Sequence, residues 1–365
     1  MGKLRTLLAA SALLWTCFDL SAQNPNFQYK FGDIEIAKPS IDEAAIGTFS
    51  LNAALDYLDK GAVAWARDQK CVSCHTTGTY MLIRPQLMEK AGKPSQELFE
   101  FFQSELKRQQ ARPREQLRFG SRSEEVIYLA AGLAQWDAHV AGKLSPTTEQ
   151  ALALMLDLQF PSGTWRVKDC WAPMESSPFH AATIAALAVA TAPGWLGTPQ
   201  TPELKRSVER LKEYLRSDQA QNDYDRVSLL WAASRMPDLL TSDQRQHLVD
   251  LVLRLQRPDG GWALRSFSPP EKWGSGIRVD RLSKEPDYEH PPSDGHMTGL
   301  AVLVLREAGL PKDDRRIQRG VEWLRANQRK SGRWWTRSLN TDNWQFITYS
   351  GTAYPLLALS LCDAL

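Results

Sequence analysis

The chain has 365 residues, 43% of them apolar and 24% charged, and a formal net charge of +2. That composition describes a globular protein and excludes a disordered or collagen-like chain. A charge so near zero leaves no nucleic-acid footprint and no acidic tail.

The first element is read as an export signal. Lys3 and Arg5 precede an apolar run from Leu7 to Phe18, and Asp19, Ser21, Gln23 and Asn24 follow. Charge, short apolar core and polar exit are the layout of a secretory signal peptide, placed at residues 1–22 with cleavage after Ala22. A run of about 12 residues is too short to span a bilayer. The mature chain is therefore expected to carry no transmembrane helix and to be periplasmic or secreted, with Cys17 in the removed segment. Residues 23–48 show no sustained period and are expected to form an arm over one domain, residues 49–365.

That domain opens on Cys71-Val72-Ser73-Cys74-His75. C-x-x-C-H reads as a covalent c-type haem site. Each thiol adds to one haem vinyl group, and the adjoining imidazole becomes the proximal iron ligand. Cys71 and Cys74 would carry the thioethers of a single haem c, with His75 on the metal. Three other readings compete: a redox disulfide, half of a zinc site, or an accidental pairing. A redox disulfide would want a strand–helix–strand setting, which the flanks lack. A zinc site would want further ligands at suitable spacing, and Cys17, Cys170 and Cys362 are scattered singly. Cys170 and Cys362 are left as buried singles or a bridge.

The rest of the chain reads as an all-α protein of repeated helix pairs. Leu204, Val208, Leu211 and Leu215 share one helical stripe; so do Leu248, Leu251, Val252 and Leu255, and again Ile317, Val321 and Leu324. One apolar stripe marks an outer, amphipathic helix. The stretches from His180, from Met297 to Leu305 and from Ala353 to Leu361 are apolar or small nearly all round, which marks a buried inner helix. About six pairs are counted, the first two least regular. Their inner members begin near His75, Glu124, His180, Val227, His296 and Ser350. Such units bury their faces only by stacking on neighbours.

Three loops share the pattern Gln-x-x-x-Gly-x-Trp: Gln159-Gly163-Trp165, Gln256-Gly260-Trp262 and Gln328-Gly332-Trp334. They resemble the QW motif of squalene-hopene and terpenoid cyclases, and the helix pairs resemble the wider prenyltransferase-β family. The likeness covers roughly residues 50–362. It implies an α/α toroid, six helix pairs closed into a ring with inner-helix starts at the rim of a central cavity. Fold likeness carries no activity by itself. The Asp-x-Asp-Asp proton donor of the cyclases is missing. Asp223-Tyr224-Asp225-Arg226 comes nearest, so Asp225 is the candidate acid, with helix N-capping as the plainer role for Asp223 or Asp225. Asp169, Cys170 and His180 resemble the prenyltransferase zinc ligands but at the wrong spacing.

If His75 opens the first inner helix, a second axial ligand must come from another inner-helix start. His296 is the candidate for ligand or acid–base group, His180 is next, and Met174 and Met297 are thioether alternatives. His139, His247 and His290 read as solvent-facing. The long irregular segment from Ala263 to Pro292 reads as a lid. Asn340 to Phe346 reads as a pocket wall, with Asp342 or Asn343 as possible caps. The expected function is an exported, cytochrome-like monohaem protein on a cyclase-like toroid. It would serve a redox partner protein or a small molecule in the cavity, by electron transfer or redox chemistry. The alternative is a haem-free cyclase or prenyltransferase relative, or a binding scaffold.

Overall fold

The structure, a computed structural model, describes residues 26–198 and 200–365. The expected signal peptide, its cleavage point and Cys17 lie outside them. Among the described residues helices dominate, and one two-stranded sheet is present.

The helices alternate outer with inner. Outer α1 (Leu51–Gln69) precedes inner α2 (Thr79–Ile83), and α3 (Gln96–Gln110) precedes α4 (Arg122–Trp136). Then come α5 (Pro146–Asp157) with α6 (Pro178–Thr191), and α7 (Pro202–Arg216) with α8 (Asp223–Arg235). The last pairs are α9 (Ser242–Arg254) with α10 (Gly295–Glu307), and α11 (Arg315–Asn327) with α12 (Ile347–Leu361). Outer helices start on side-chain caps that occupy open amide groups: Ser50, Ser95, Ser145, Thr201, Thr241 and Asp314. They bury one stripe each, as Val208, Leu211 and Leu215 do in α7. Inner helices are buried all round, as α10 is from Gly295 to Leu305. Full burial of one such Leu or Val stabilises by about 1.5–3 kcal/mol.

The inner helices touch in chain order, α2 to α4, α6, α8, α10 and α12, and α12 packs back on α2. Each shared loop pattern makes one junction. The indoles of Trp165, Trp262 and Trp334 donate from Nε1 to the carbonyls of Met155, Val252 and Leu324 at 2.8, 2.7 and 2.7 Å. Gln159, Gln256 and Gln328 each donate to the glycine carbonyl four residues on. The glycines press on the backbone of the next outer helix: Gly163 on Arg210, Gly260 on Arg319, and Gly332 on Ala53 of α1. The third loop thereby joins the last outer helix to the first.

The N-terminal segment is more structured than expected. Phe27–Phe31 (β1) and Ile34–Ala37 (β2) pair antiparallel around Gly32, whose φ of 57° suits a tight turn. Beyond it the chain runs along the Gln328 loop. Ile46 N–H donates to the Gln328 carbonyl (2.8 Å), and Arg333 Nη1 donates to the Ala37 carbonyl (2.7 Å). No described helix is long and apolar enough to cross a membrane.

Candidate functional site

The motif occupies a break in the helical order. Cys74–Gly78 forms a π-turn, with Gly78 N–H donating to the Ser73 carbonyl at 2.8 Å. Such turns recur at functional sites. A side chain on Gly78 would meet Ser73 O at 2.7 Å and Tyr128 at 2.8 Å, so only glycine fits between the turn and α4. Pro85 then turns the chain into a 3₁₀ stretch, which makes α2 the shortest inner helix.

Cys71 and Cys74 are free thiols, the first half-buried and the second buried. Burial pushes the Cys71 thiol up to about 12, with Glu125 adding to it; the Cys74 thiol is also raised well above its usual value, by burial and then Glu175. His75 is 2% exposed. Its Nδ1 lies 2.9 Å from Thr76 Oγ1, and that hydroxyl lies 3.0 Å from Tyr29 OH on β1. Phe346 stacks on the imidazole at 4.7 Å, while Trp65 and Trp171 meet it edge-on at 4.8 and 5.8 Å. Burial lowers the imidazole to about 3, so it is neutral at physiological pH. Nδ1 is engaged, and among the described residues Nε2 takes no hydrogen bond. A metal-binding imidazole is commonly oriented in this way by its second nitrogen.

Beside Cys74 lie two carboxyl groups. The thiol and the Glu175 carboxylate are hydrogen-bonded, and Glu175 is raised to about 7, first by burial. Glu124, on the first turn of α4, is held well above the usual carboxylate range by burial and then by Glu175, against the Lys168 backbone amide and charge. Both Glu124 oxygens, Glu175 Oε2 and Trp171 Nε1 are buried without a hydrogen-bond partner. Orphaned polar atoms gathered at one place call for a water or a ligand.

The inner helices carry two matching hydrogen-bond chains. Tyr128 OH on α4 is 3.2 Å from His180 Nε2 on α6, and His180 Nδ1 is 3.2 Å from Ser228 Oγ on α8. Two helices on, Tyr224 OH is 3.1 Å from His296 Nε2, and His296 Nδ1 is 2.8 Å from Ser350 Oγ on α12. Burial keeps His180 near 4 and His296 near 3. Both nitrogens of each imidazole are thus occupied by hydroxyl groups. Met297 and Met174 are buried, at 0% and 2% exposure.

Asp225 does not cap α8. Asn222 does, accepting from Asp225 N–H at 2.9 Å. The Asp225 carboxylate instead accepts from Ser177 Oγ and from Gln221 N–H, each at 2.9 Å, and so ties α8 to the start of α6. Asp342 and Asn343 do not cap α12 either; its N-cap position is Phe346, which makes no side-chain bond. Asp342 pairs with Arg281 at 2.6 Å. Asp169 is held by Arg278 rather than joined to His180, and no described group of three or more His, Cys, Asp or Glu could hold a metal ion. His139, His247 and His290 face solvent.

The segment from Ala263 to Pro292 is clamped by buried ion pairs. Arg265 and Glu285 form a two-pronged buried pair at 2.5 and 3.0 Å. Arg278 reaches Asp169 (2.5 Å), the Cys170 carbonyl (3.0 Å) and Asn340 (2.6 Å). Trp273 donates to Tyr288 OH at 2.8 Å.

Sequence reasoning missed Glu175 and Tyr128 outright, and Tyr354, whose ring centroid lies 5.1 Å from that of His296. The available signal was spacing: Glu124 and Tyr128, Tyr224 and Ser228, and Ser350 and Tyr354 are each four residues apart on otherwise apolar helices, hence on one face. No family model matches this chain, and no curated protein is significantly similar to it.

Proposed function

We propose that the chain is an exported, monohaem c-type protein built as an α/α toroid, carrying out electron transfer or redox chemistry at the rim of its central cavity. The cyclic order of inner-helix contacts supports the toroid. The observation that carries the haem reading is the state of the motif. Two unbridged thiols stand beside an imidazole whose Nδ1 is fixed by Thr76, leaving Nε2 for iron. The donor set fits the group, and the orphaned atoms of Glu124, Glu175 and Trp171 lie in the same neighbourhood.

In this reading Cys71 and Cys74 hold the porphyrin and His75 is the proximal ligand. When bound, the haem supplies a one-electron couple. The chain's own part is to exclude water with Trp65, Trp171 and Phe346 and to hold His75 through the Thr76–Tyr29 pair. His296, His180 and Met297 remain the inner-helix groups for a second axial position. Ligation by either histidine would cost one of its two hydroxyl contacts. Left in place, those contacts make the histidines neutral relays for a proton at Nε2 or Nδ1.

A second reading rests on Glu124. Burial and the neighbouring Glu175 hold this carboxyl above the usual carboxylate range, the kind of shift that suits a proton donor. A haem-free toroid could use it on an apolar substrate, as a cyclase relative would.

One experiment separates the two. The chain is expressed with c-type haem maturation machinery and weighed after denaturation. A mass increment of one haem and a Soret band that survives denaturation are expected, both lost in Cys71→Ala/Cys74→Ala. Recovery of the bare polypeptide mass overturns the haem reading. A cyclised isoprenoid made by that bare chain, and lost in Glu124→Gln, establishes the second.

A further inference from the structure

The start of α4 forms the floor of a pocket of about 360 Å³, bounded by Phe119, Gly120, Arg122, Glu125, Arg166 and Lys168. Among the described residues, Arg122, Arg166 and Lys168 form no close ion pair. Glu125 is the pocket's carboxylate, and it is occupied elsewhere, by Gln109 Nε2 at 3.2 Å and Ser121 Oγ at 3.4 Å. Three basic residues line the pocket with that single carboxylate, an excess of two charges. The guanidinium of Arg166 lies over the Phe119 ring at 5.7 Å, which holds its planar fork over the opening.

The backbone adds to this. Ser121 stands at the N-cap of a 15-residue helix but makes no capping bond with its side chain. The first-turn amide groups therefore lack the acceptor that caps the outer helices, and the positive end of the helix dipole faces the same place. Glu124, also on that first turn, is 2% exposed with both carboxyl oxygens unpartnered, and it is close enough to Lys168 to feel its charge.

We propose that this pocket binds a small dianion of the dicarboxylate or phosphate-ester class, held by Arg122, Arg166, Lys168 and the uncapped start of α4. The volume suits a small molecule rather than a peptide. Arg166 takes one edge of a carboxylate or phosphate with two parallel N–H groups, and Lys168 supplies a point charge. Occupancy has a consequence for the neighbouring site. Lys168 acts electrostatically on Glu124 and Glu175. An anion that neutralises it makes both carboxyl groups beside Cys74 harder to ionise. The pocket does not depend on the haem reading, because none of its residues belongs to the Cys71–His75 motif.

The test is calorimetric titration of the full chain at low ionic strength, with succinate and with inorganic phosphate as probes. It is run on the protein as purified and on Cys71→Ala/Cys74→Ala. Saturable one-to-one binding is expected in both. Arg122→Gln or Lys168→Gln should weaken it about tenfold, the worth of one charge-assisted hydrogen bond. Glu125→Gln should tighten binding, since it removes the opposing charge and keeps the side-chain shape. Arg166→Gln, at an exposed position, serves if the half-buried variants do not fold. Absence of saturable binding of both probes overturns the proposal. So does binding that persists in Arg166→Gln/Lys168→Gln.

Discussion

Tyr224 and His296 meet across α8 and α10, the phenol oxygen 3.1 Å from Nε2 and the two rings stacked at 23°. The imidazole is fully buried and neutral, with Ser350 on its other nitrogen. Tyr224→Phe keeps the stacking and removes one partner. A buried polar atom left unsatisfied costs about 1–3 kcal/mol, so the urea midpoint should fall by that equivalent. An unchanged midpoint would mean that the hydroxyl contributes nothing there.

Asp225 sets a pH dependence with a definite sign. Burial raises its carboxyl to about 6, against the opposing pull of Gln221 N–H, Ser177 and Arg226. A folded-state value above the unfolded one means that the native state holds the proton longer. This residue's contribution is therefore favourable at low pH and is lost as pH rises from about 4 through about 6. Asp225→Asn keeps an acceptor for Ser177 and removes the titration. Its stability relative to the parent should rise by about 3 kcal/mol across that window and stay flat above it. Parallel melting curves for the two proteins from about pH 4 to about pH 8 would contradict this.

The helix pairs were legible because burial imposes a period. Stripes such as Leu204 to Leu215 and all-apolar runs such as Met297 to Leu305 need no long-range information. The Gln-x-x-x-Gly-x-Trp loops carried their own geometry, an indole reaching back ten residues and an amide reaching forward four. The hairpin at Phe27–Ala37 was hidden, because β1 is buried by packing on α1 without alternating, and β2 alternates over only four residues. The Cys74–Glu175 contact joins segments about a hundred residues apart, and no local pattern announces it. Asn222 and Asp225 are both plausible caps three residues apart, and only backbone geometry chooses between them.

Glycine is required at Gly332 for two separable reasons. Its φ is 85°, and a Cβ would lie 2.3 Å from the carbonyl of Ala53. Gly194 shares the positive φ, at 69°, but has nothing within 4 Å. Gly194→Ala should therefore cost only the backbone term, about 1–2 kcal/mol. Gly332→Ala adds the clash at the junction between the last loop and the first outer helix, about 1–3 kcal/mol more. Urea midpoints measure the difference, and faster hydrogen exchange at the start of α1 should appear only in Gly332→Ala. Equal costs at the two positions would show that the junction yields freely.

The segment 263–292 depends on its buried pair. Arg265 and Glu285 have side chains 6% and 3% exposed, and Arg281 leans on the same carboxylate at 3.0 Å. Glu285→Gln leaves a buried guanidinium without its counter-charge, a loss of about 3–5 kcal/mol. Part of that loss should be local. The middle of the segment stays clamped by Arg278 on Asp169, so the stretch after it opens before the helix pairs do. Trypsin should then cut at Arg281 or Lys284 in the folded variant, well below its melting temperature, while the parent resists. Asp169→Asn should shift the first cut toward Arg278, because it releases the middle clamp. Equal resistance in parent and variants would mean that the segment is held by its apolar anchors, Phe267, Trp273 and Leu282, rather than by its ion pairs.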